Sequence, residues 1–291
     1  MEAIDLKGQP LDLDITLACG QAFRWRKTED GLWYGVVRDR LIELRTDGAV
    51  LYWRTYPDGG RALVQDYLRL SDDVNSIYAC LSDCDGHMKS LIRRFHGLRL
   101  LRQDPTETLL SFICSAANSI GRISAAIEEL ARQYGELVCK KGNLCYYAFP
   151  TPQRLAAEPR SVASLGFRGR NLRSVANQTI ERGEGWLVGL RDAPYDQARA
   201  ELLSIRGVGA KIADCVCLFS LDKDESVPVD THVRQLASRL FLPHIHAKSI
   251  TDGVYRRIVE AFRERYGRYA GWAQQFLFYE DLLRGKTNRE M

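Results

Sequence analysis

No apolar run in this 291-residue chain approaches the ~18 residues that a helical membrane span needs. The opening residues, MEAIDLKGQP, also lack the order of a secretory leader, basic first and then apolar. A soluble, intracellular protein with no membrane partner is therefore expected. Charge of one sign is scarce as well. The 41 Lys and Arg against 37 Asp and Glu leave a net +4, so composition does not by itself point to nucleic acid, and any basic surface must be local. Eight cysteines are present, but no four of them have the spacing of a zinc or iron–sulfur site, and none follows Cys217. Free thiols are the expectation for most of them. Core-forming residues are in normal supply, with 45% hydrophobic residues and mixed charge. That excludes a disordered chain and allows two or three domains with cores of their own.

Residues 14–56 hold short aromatic and β-branched runs: FRW, LWYGVV, LIELRT and VLYW. Turn signals at Glu29-Asp30-Gly31 and Asp47-Gly48 separate them, and an antiparallel meander is the simplest account. Amphipathic helices are expected near residues 61–70 and 87–95. Asp104-Pro105-Thr106-Glu107 reads as a helix start, with a capping aspartate and proline in the first turn. The helical pattern that follows weakens near residues 118–121. Residues 139–148 stay unassigned, and Phe149-Pro150-Thr151-Pro152 punctuates the chain before another helix.

Residues 202–234 carry the most specific pattern, LLSIRGVGAKIADCVCLFSLDKDESVPVDTHVR. One apolar run ends at Ile205, Gly207-Val208-Gly209 makes a turn, and a second run opens at Lys211. Glycines suit a sharp junction between helices and a close backbone approach. The free N–H groups that open the second helix make an anion site suited to a phosphate. Nineteen positions beyond Lys211 stands Asp230, inside VPVDTH. Each part alone has an ordinary reading: a turn, a surface lysine, an N-cap. An amine and a carboxylate that frame a phosphate-binding turn are more specific together.

L-x-x-x-G-V-G-x-K-x-A-D-C followed by V-P-V-D-x-H resembles the helix-hairpin-helix DNA glycosylases, and Lys211 with Cys215 resembles the 8-oxoguanine DNA glycosylase/lyase family. The resemblance extends over nearly the whole chain. It implies an α+β fold: an N-terminal antiparallel β-sheet domain with helices (TBP-like) over residues 1–103, and an all-α helix-hairpin-helix glycosylase body over residues 104–291. It also implies a base-excision repair enzyme. Lys211 would attack C1′ of the nucleotide and form a Schiff base, Asp230 would stabilise the cationic sugar, and β-elimination would cut the strand. The attack needs the free amine, which a helix N-terminus favours and a nearby carboxylate opposes.

The resemblance assigns further residues. Gly20, in the run GQAFRW, would present its carbonyl to the N7–H that 8-oxoguanine has and guanine lacks; a bulge opening a strand is the plainer reading. Cys215 and Phe278 would sandwich the base and Gln274 would read its edge, although four-residue spacing fits two core residues equally well. Phe167 would wedge the duplex, with ordinary core as the other reading. Arg122 and Arg168 would read the orphaned cytosine or bind phosphate. His232 and the N–H groups of Gly207 and Gly209 would hold phosphates. Ala117 stands where the family often has asparagine, which leaves the choice of opposite base open. The implied partner is double-stranded DNA containing 8-oxoguanine, opposite cytosine, bound by a monomer. No cofactor is required; a monovalent cation at the hairpin is common in the superfamily. Bacterial cytoplasm and eukaryotic nucleus both fit. A glycosylase/lyase for another oxidised base is the near alternative, and a catalytically silent helix-hairpin-helix DNA-binding protein the distant one. The absence of cysteine after Cys217 argues against the iron–sulfur endonuclease III type, and Lys211 against the alkylpurine glycosylases.

Overall fold

The computed structural model describes residues 1–115, 119–157, 167–243 and 249–290, the side chains of residues 167, 168 and 286–290 excepted. The N-terminal part contains β1 (Glu2–Asp5), α1 (Leu13–Thr16), β2 (Trp25–Lys27), β3 (Trp33–Val37), β4 (Arg40–Asp47), β5 (Val50–Tyr56), α2 (Arg61–Tyr67), α3 (Val74–Cys84) and α4 (Gly86–Arg94). The five strands form one antiparallel sheet in the order β1-β5-β4-β3-β2. Strand β5 shows why: Leu51, Trp53 and Thr55 are buried, while Tyr52, Arg54 and Tyr56 between them are not. Alternate residues leave a strand on opposite faces, so this pattern buries one face only. Across the sheet Trp53 faces Leu44, and Leu44 faces Trp33. These side chains pack with Trp25, Ile42 and Leu68 into one core. Side chains of this size contribute about 1.5–3 kcal/mol each when removed from water.

Three features depart from the sequence reading. Strand β1 lies before the expected meander and extends its edge by pairing with β5. Residues 13–16 are helical rather than extended, because the Asp12 carboxylate accepts the Ile15 N–H at 3.0 Å and caps a helix there. Helix α3 was not anticipated; Asp73 caps it through Ser76 N–H.

The C-terminal part comprises α5 (Pro105–Cys114), α6 (Ile120–Tyr134), β6 (Leu137–Lys141), β7 (Leu144–Tyr147), α7 (Pro152–Ala157), α8 (Phe167–Glu181), α9 (Trp186–Gly189), α10 (Tyr195–Leu203), α11 (Ala210–Ser220), α12 (Thr231–Leu240), α13 (Asp252–Tyr266) and α14 (Ala270–Glu290). Helix α5 starts where its cap requires: the Asp104 carboxylate accepts N–H groups of Thr106 and Glu107, each at 2.9 Å, and Pro105 fills the first turn. The body is not all-helical, since β6 and β7 pair as an antiparallel hairpin. Glycine and asparagine at 142 and 143 supply its turn, in the stretch left unassigned from the sequence.

Helix α11 lies between two cores. Its residues Cys215, Leu218 and Phe219 pack with α3, α4, α12, α13 and α14. Its residues Ala213, Val216 and Cys217 pack with α5, α6, α8 and α10. Two arginines of the N-terminal part, Arg69 after α2 and Arg102 before α5, join it to the loop after α11. Arg69 makes a two-pronged contact with Asp224 at 2.8 and 3.1 Å, and Arg102 bonds Asp222 at 2.8 Å and Asp66 at 2.7 Å. Paired guanidinium–carboxylate geometry fixes orientation as well as distance.

Candidate active site

The junction of α10 and α11 is built for a bare backbone. Gly207 has φ +100°, a left-handed conformation that side chains rarely adopt. Gly209 is the N-cap of α11 and offers no side chain to its free N–H groups. Among the described residues a Cβ at Gly209 would meet no atom within 4 Å, so the helix N-terminus is open on that side.

Lys211 sits on the first turn of α11 and is half-buried. Its amine donates to Ser115 Oγ at 3.3 Å and lies 4.7 Å from the centre of the Phe112 ring. Asp230 caps α12: Oδ1 accepts the Val233 N–H at 2.9 Å. Among the described residues, Oδ2 of Asp230 accepts no hydrogen bond, and Lys211 and Asp230 form no ion pair within 4.0 Å. Both act on one neighbour, Cys215. Burial pushes that thiol up to about 12; the Lys211 charge pulls down and the Asp230 charge adds to the rise. Cys215 therefore stays a neutral, polarisable thiol at physiological pH and offers a face for packing rather than a nucleophile.

A second group gathers on α14. Gln274 is 4% exposed, and its buried Oε1 has no hydrogen-bond partner among the described residues. Buried acceptors are normally satisfied, and one left open costs about 1–3 kcal/mol. One turn later, Phe278 meets the His232 ring edge-on, with centroids 6.1 Å apart. Gly20, with φ +87°, comes against the same ring: a Cβ there would lie 3.2 Å from Phe278 Cε1 and 3.2 Å from Ile120 Cδ1. The contact brings the N-terminal part, α6 and α14 together at one point. Asp281, one turn beyond Phe278, receives His232 Nδ1 at 3.1 Å and Arg239 at 2.8 Å. Burial opposes ionisation of Asp281, but these two hydrogen bonds outweigh it and hold the carboxyl below the usual range.

Lys211, Asp230 and Cys215 thus form one cluster; Gln274, Phe278 and His232 lie on α14 and α12, and the turn at Gly20 meets Phe278. Arg122 is exposed on the first turn of α6, two residues from Ile120. Phe167 and Arg168 open α8, but their side chains lie outside the described residues, as do Ala117 and Asn118. The sequence reading did not single out Ser115 or Phe112, which hold the Lys211 amine; nothing in their spacing connects them to residue 211. Asp281 was legible in principle, because with Gln274 and Phe278 it continues one helical face.

Residues 110–259 match the HhH-GPD superfamily of base excision DNA repair proteins, and residues 3–109 match the N-terminal domain of 8-oxoguanine DNA glycosylase. The chain belongs to this superfamily, in the branch that carries the 8-oxoguanine DNA glycosylase N-terminal domain. The N-glycosylase/DNA lyase OGG1 of Arabidopsis thaliana is 34% identical over 292 residues, covering 95% of this chain and 79% of that protein. The solved structure of MBOgg1 with a low-affinity DNA ligand is 31% identical, with TM-score 0.85 over 97% of this chain and 96% of that one. The Clostridium acetobutylicum 8-oxoguanine glycosylase/lyase, solved with double-stranded DNA holding cytosine opposite 8-oxoguanine, is 30% identical, with TM-score 0.84 over 97% and 94%.

Proposed function

We propose that this protein removes 8-oxoguanine from duplex DNA, where it pairs with cytosine, and then cuts the strand as a lyase. The observation that carries the reading is the open acceptor of Gln274. A purine with the edge of guanine offers N1–H and an exocyclic amine, and a buried carbonyl oxygen with no partner fits such donors. Phe278 supplies a ring for one face of the base and the neutral Cys215 thiol a packing surface for the other. Gly20, against the Phe278 ring, brings a backbone carbonyl to the same pocket.

The chemistry runs from Lys211 and Asp230. As the glycosidic bond breaks, its electron pair goes to the departing base, which takes up the proton that the Lys211 amino group sheds, and positive charge builds on the sugar. The Asp230 carboxylate, with one oxygen uncommitted, stabilises that charge. The Lys211 amine leaves Ser115, bonds to C1′ and, after ring opening, forms the iminium. The iminium acidifies C2′–H; loss of that proton expels the phosphate from C3′ and cuts the strand. Water then hydrolyses the imine and frees the lysine. The reaction as written needs no cofactor.

His232, oriented by Asp281, and the N–H groups at Gly207 and Gly209 would hold backbone phosphates. Arg122, Phe167 and Arg168 would engage the duplex on the far side of the extruded base. Among the described residues the carbonyls of Gly207 and Val208 accept no hydrogen bond, which suits them to a monovalent cation. Among the described residues no helix is long and apolar enough to cross a membrane. A monomer acting on DNA in a bacterial cytoplasm or a eukaryotic nucleus completes the reading.

Borohydride trapping tests it. The protein incubated with duplex carrying 8-oxoguanine opposite cytosine should yield a covalent adduct, and the Lys211→Gln variant should yield none. An adduct formed only with oxidised pyrimidines would overturn the choice of base. Binding without any adduct would overturn the enzyme.

A further inference from the structure

Side-chain amides hold the turn around Gly20 from both sides. Gln275 Nε2 donates to the Cys19 carbonyl at 2.8 Å. Gln103 Nε2 donates to the Gln21 carbonyl at 2.7 Å. The buried side chain of Gln21 completes the clasp: its Nε2 donates to the carbonyls of Thr16 at 2.9 Å and Arg99 at 2.8 Å, and its Oε1 accepts the Leu101 N–H at 3.0 Å. The Gly20 carbonyl lies between the two pinned ones and, among the described residues, accepts no hydrogen bond.

A glycine peptide plane is the easiest of all to rotate, because no Cβ opposes the rotation. A carbonyl that is to distinguish a hydrogen on N7 from a lone pair must not rotate. If it turned away, the repulsion that rejects guanine would vanish. With the planes on either side fixed, the Gly20–Gln21 plane can turn only about its own two Cα atoms, and that rotation swings φ of Gln21, whose Cβ and bonded side chain oppose it; once the Cys19 carbonyl is released, the plane before Gly20 can turn and carry the Gly20 carbonyl with it. The Gln275 bond is buried and the Gln103 bond partly so, and breaking the buried one leaves polar groups unsatisfied.

The two bonds differ in what they connect. Gln103 belongs to the segment before α5, whereas Gln275 lies on α14, next to Gln274. Neighbours in sequence have opposite tasks: Gln274 keeps a buried oxygen free, while Gln275, 1% exposed, spends its amide on the turn. We propose that Gln275 is a positioning residue for lesion selectivity. Through the Cys19 carbonyl it fixes the direction of the Gly20 carbonyl and ties it to the helix that carries Gln274 and Phe278. This rests on the reading of the pocket as an 8-oxoguanine site.

The test compares excision from duplexes carrying 8-oxoguanine or guanine opposite cytosine, alongside cleavage of a pre-formed abasic site. Gln275→Met preserves length and approximate volume but removes the donor. The ratio of excision rates for 8-oxoguanine over guanine should fall tenfold or more, with abasic-site cleavage within twofold of wild type. Gln275→Glu sets a carboxylate against the Cys19 carbonyl and should lower the ratio further. As pH falls and the acid takes up a proton, its O–H can donate to that carbonyl and the ratio should recover, whereas the wild-type ratio stays flat.

An unchanged ratio in Gln275→Met overturns the proposal. So does parallel loss of selectivity and abasic-site cleavage, which would make Gln275 a core residue. If Gln275→Met does not fold, the pH profile of Gln275→Glu decides, and a profile without recovery rejects the idea. A wild-type enzyme that forms a lysine adduct at abasic sites yet shows no preference for 8-oxoguanine removes the pocket reading itself, and this proposal with it.

Discussion

Asp214 and Asp230 lie in the same stretch of chain and are treated in opposite ways. Asp214 is fully buried and receives four donors: Tyr195 OH at 2.6 Å, Tyr255 OH at 2.5 Å, Arg199 Nε at 3.0 Å and Ser226 Oγ at 3.1 Å. Through these it holds α10, α13 and the segment leading to Asp230, whose Val229 N–H bonds Tyr255 OH at 3.2 Å. Asp230 is half-buried and commits one oxygen to a cap. Lys211 and Gln274 share its incompleteness: an amine resting on a hydroxyl at 3.3 Å and an amide oxygen with no partner. Asp214, which braces the fold, is fully paired. Polar groups in the cleft are left open, and an open group is what a substrate can bind. The cleft is thereby less stable than it could be, and the network beneath it makes that tolerable.

The contrast can be broken from either side. Lys211→Gln should abolish the borohydride adduct altogether while changing the unfolding free energy, read from a denaturant titration, by less than about 1 kcal/mol. Asp214→Ala should do the reverse. It strands Arg199 and two tyrosine hydroxyls, and about 3–5 kcal/mol of stability should be lost in a denaturant titration, with loss of activity following loss of fold. A stable, inactive Asp214→Ala protein would show that the division is wrong.

Gln274→Ala removes an amide oxygen that has no partner among the described residues. Folding should barely change, whereas affinity for 8-oxoguanine duplex should fall about 10–100-fold by one or two lost hydrogen bonds, with cleavage of a ready-made abasic site intact. Equal loss of both activities would return Gln274 to the core.

The smallest effect concerns an incomplete group away from the cleft. Between sheet and body, Arg24 has a buried Nη1 that makes no hydrogen bond among the described residues and lies 3.9 Å from Glu107. Burial raises the Glu107 carboxyl to about 7; Arg24 opposes the rise, and Asp104 and Glu128 add to it. A raised carboxyl holds its proton longer in the folded protein than in the unfolded chain. Stability therefore falls as pH rises from about 4.5 to about 7. Glu107→Gln should be more stable than wild type at pH 8 by about 1–2 kcal/mol, with the difference gone below pH 4.5. Thermal melts of both proteins across that range measure it; a constant difference would show that Glu107 does not titrate there.

Much of the fold was legible because its signals are local. Asp104-Pro105 starts a helix with contacts three residues long, and period-two burial writes out β5 within seven residues. Strand β1 and α1 escaped because four residues are too few to show a period. The hairpin of β6 and β7 escaped for a different reason: both strands are largely exposed, so no apolar alternation marks them. Within the site, Lys211 and Cys215 announce themselves by sharing a motif and a helix face. Ser115 does not, because it meets Lys211 from 96 positions away.

By itself the sequence determined the caps, the glycine turn, the strand periods and the candidates for chemistry, since each depends on neighbours within a helical turn or a strand pair. Only the tertiary structure decided which polar groups are satisfied. Gln274 and Gln275 are the same residue type at adjacent positions. One is open and the other is spent on a carbonyl 256 residues earlier, and hydrogen bonding over that separation is settled by packing alone.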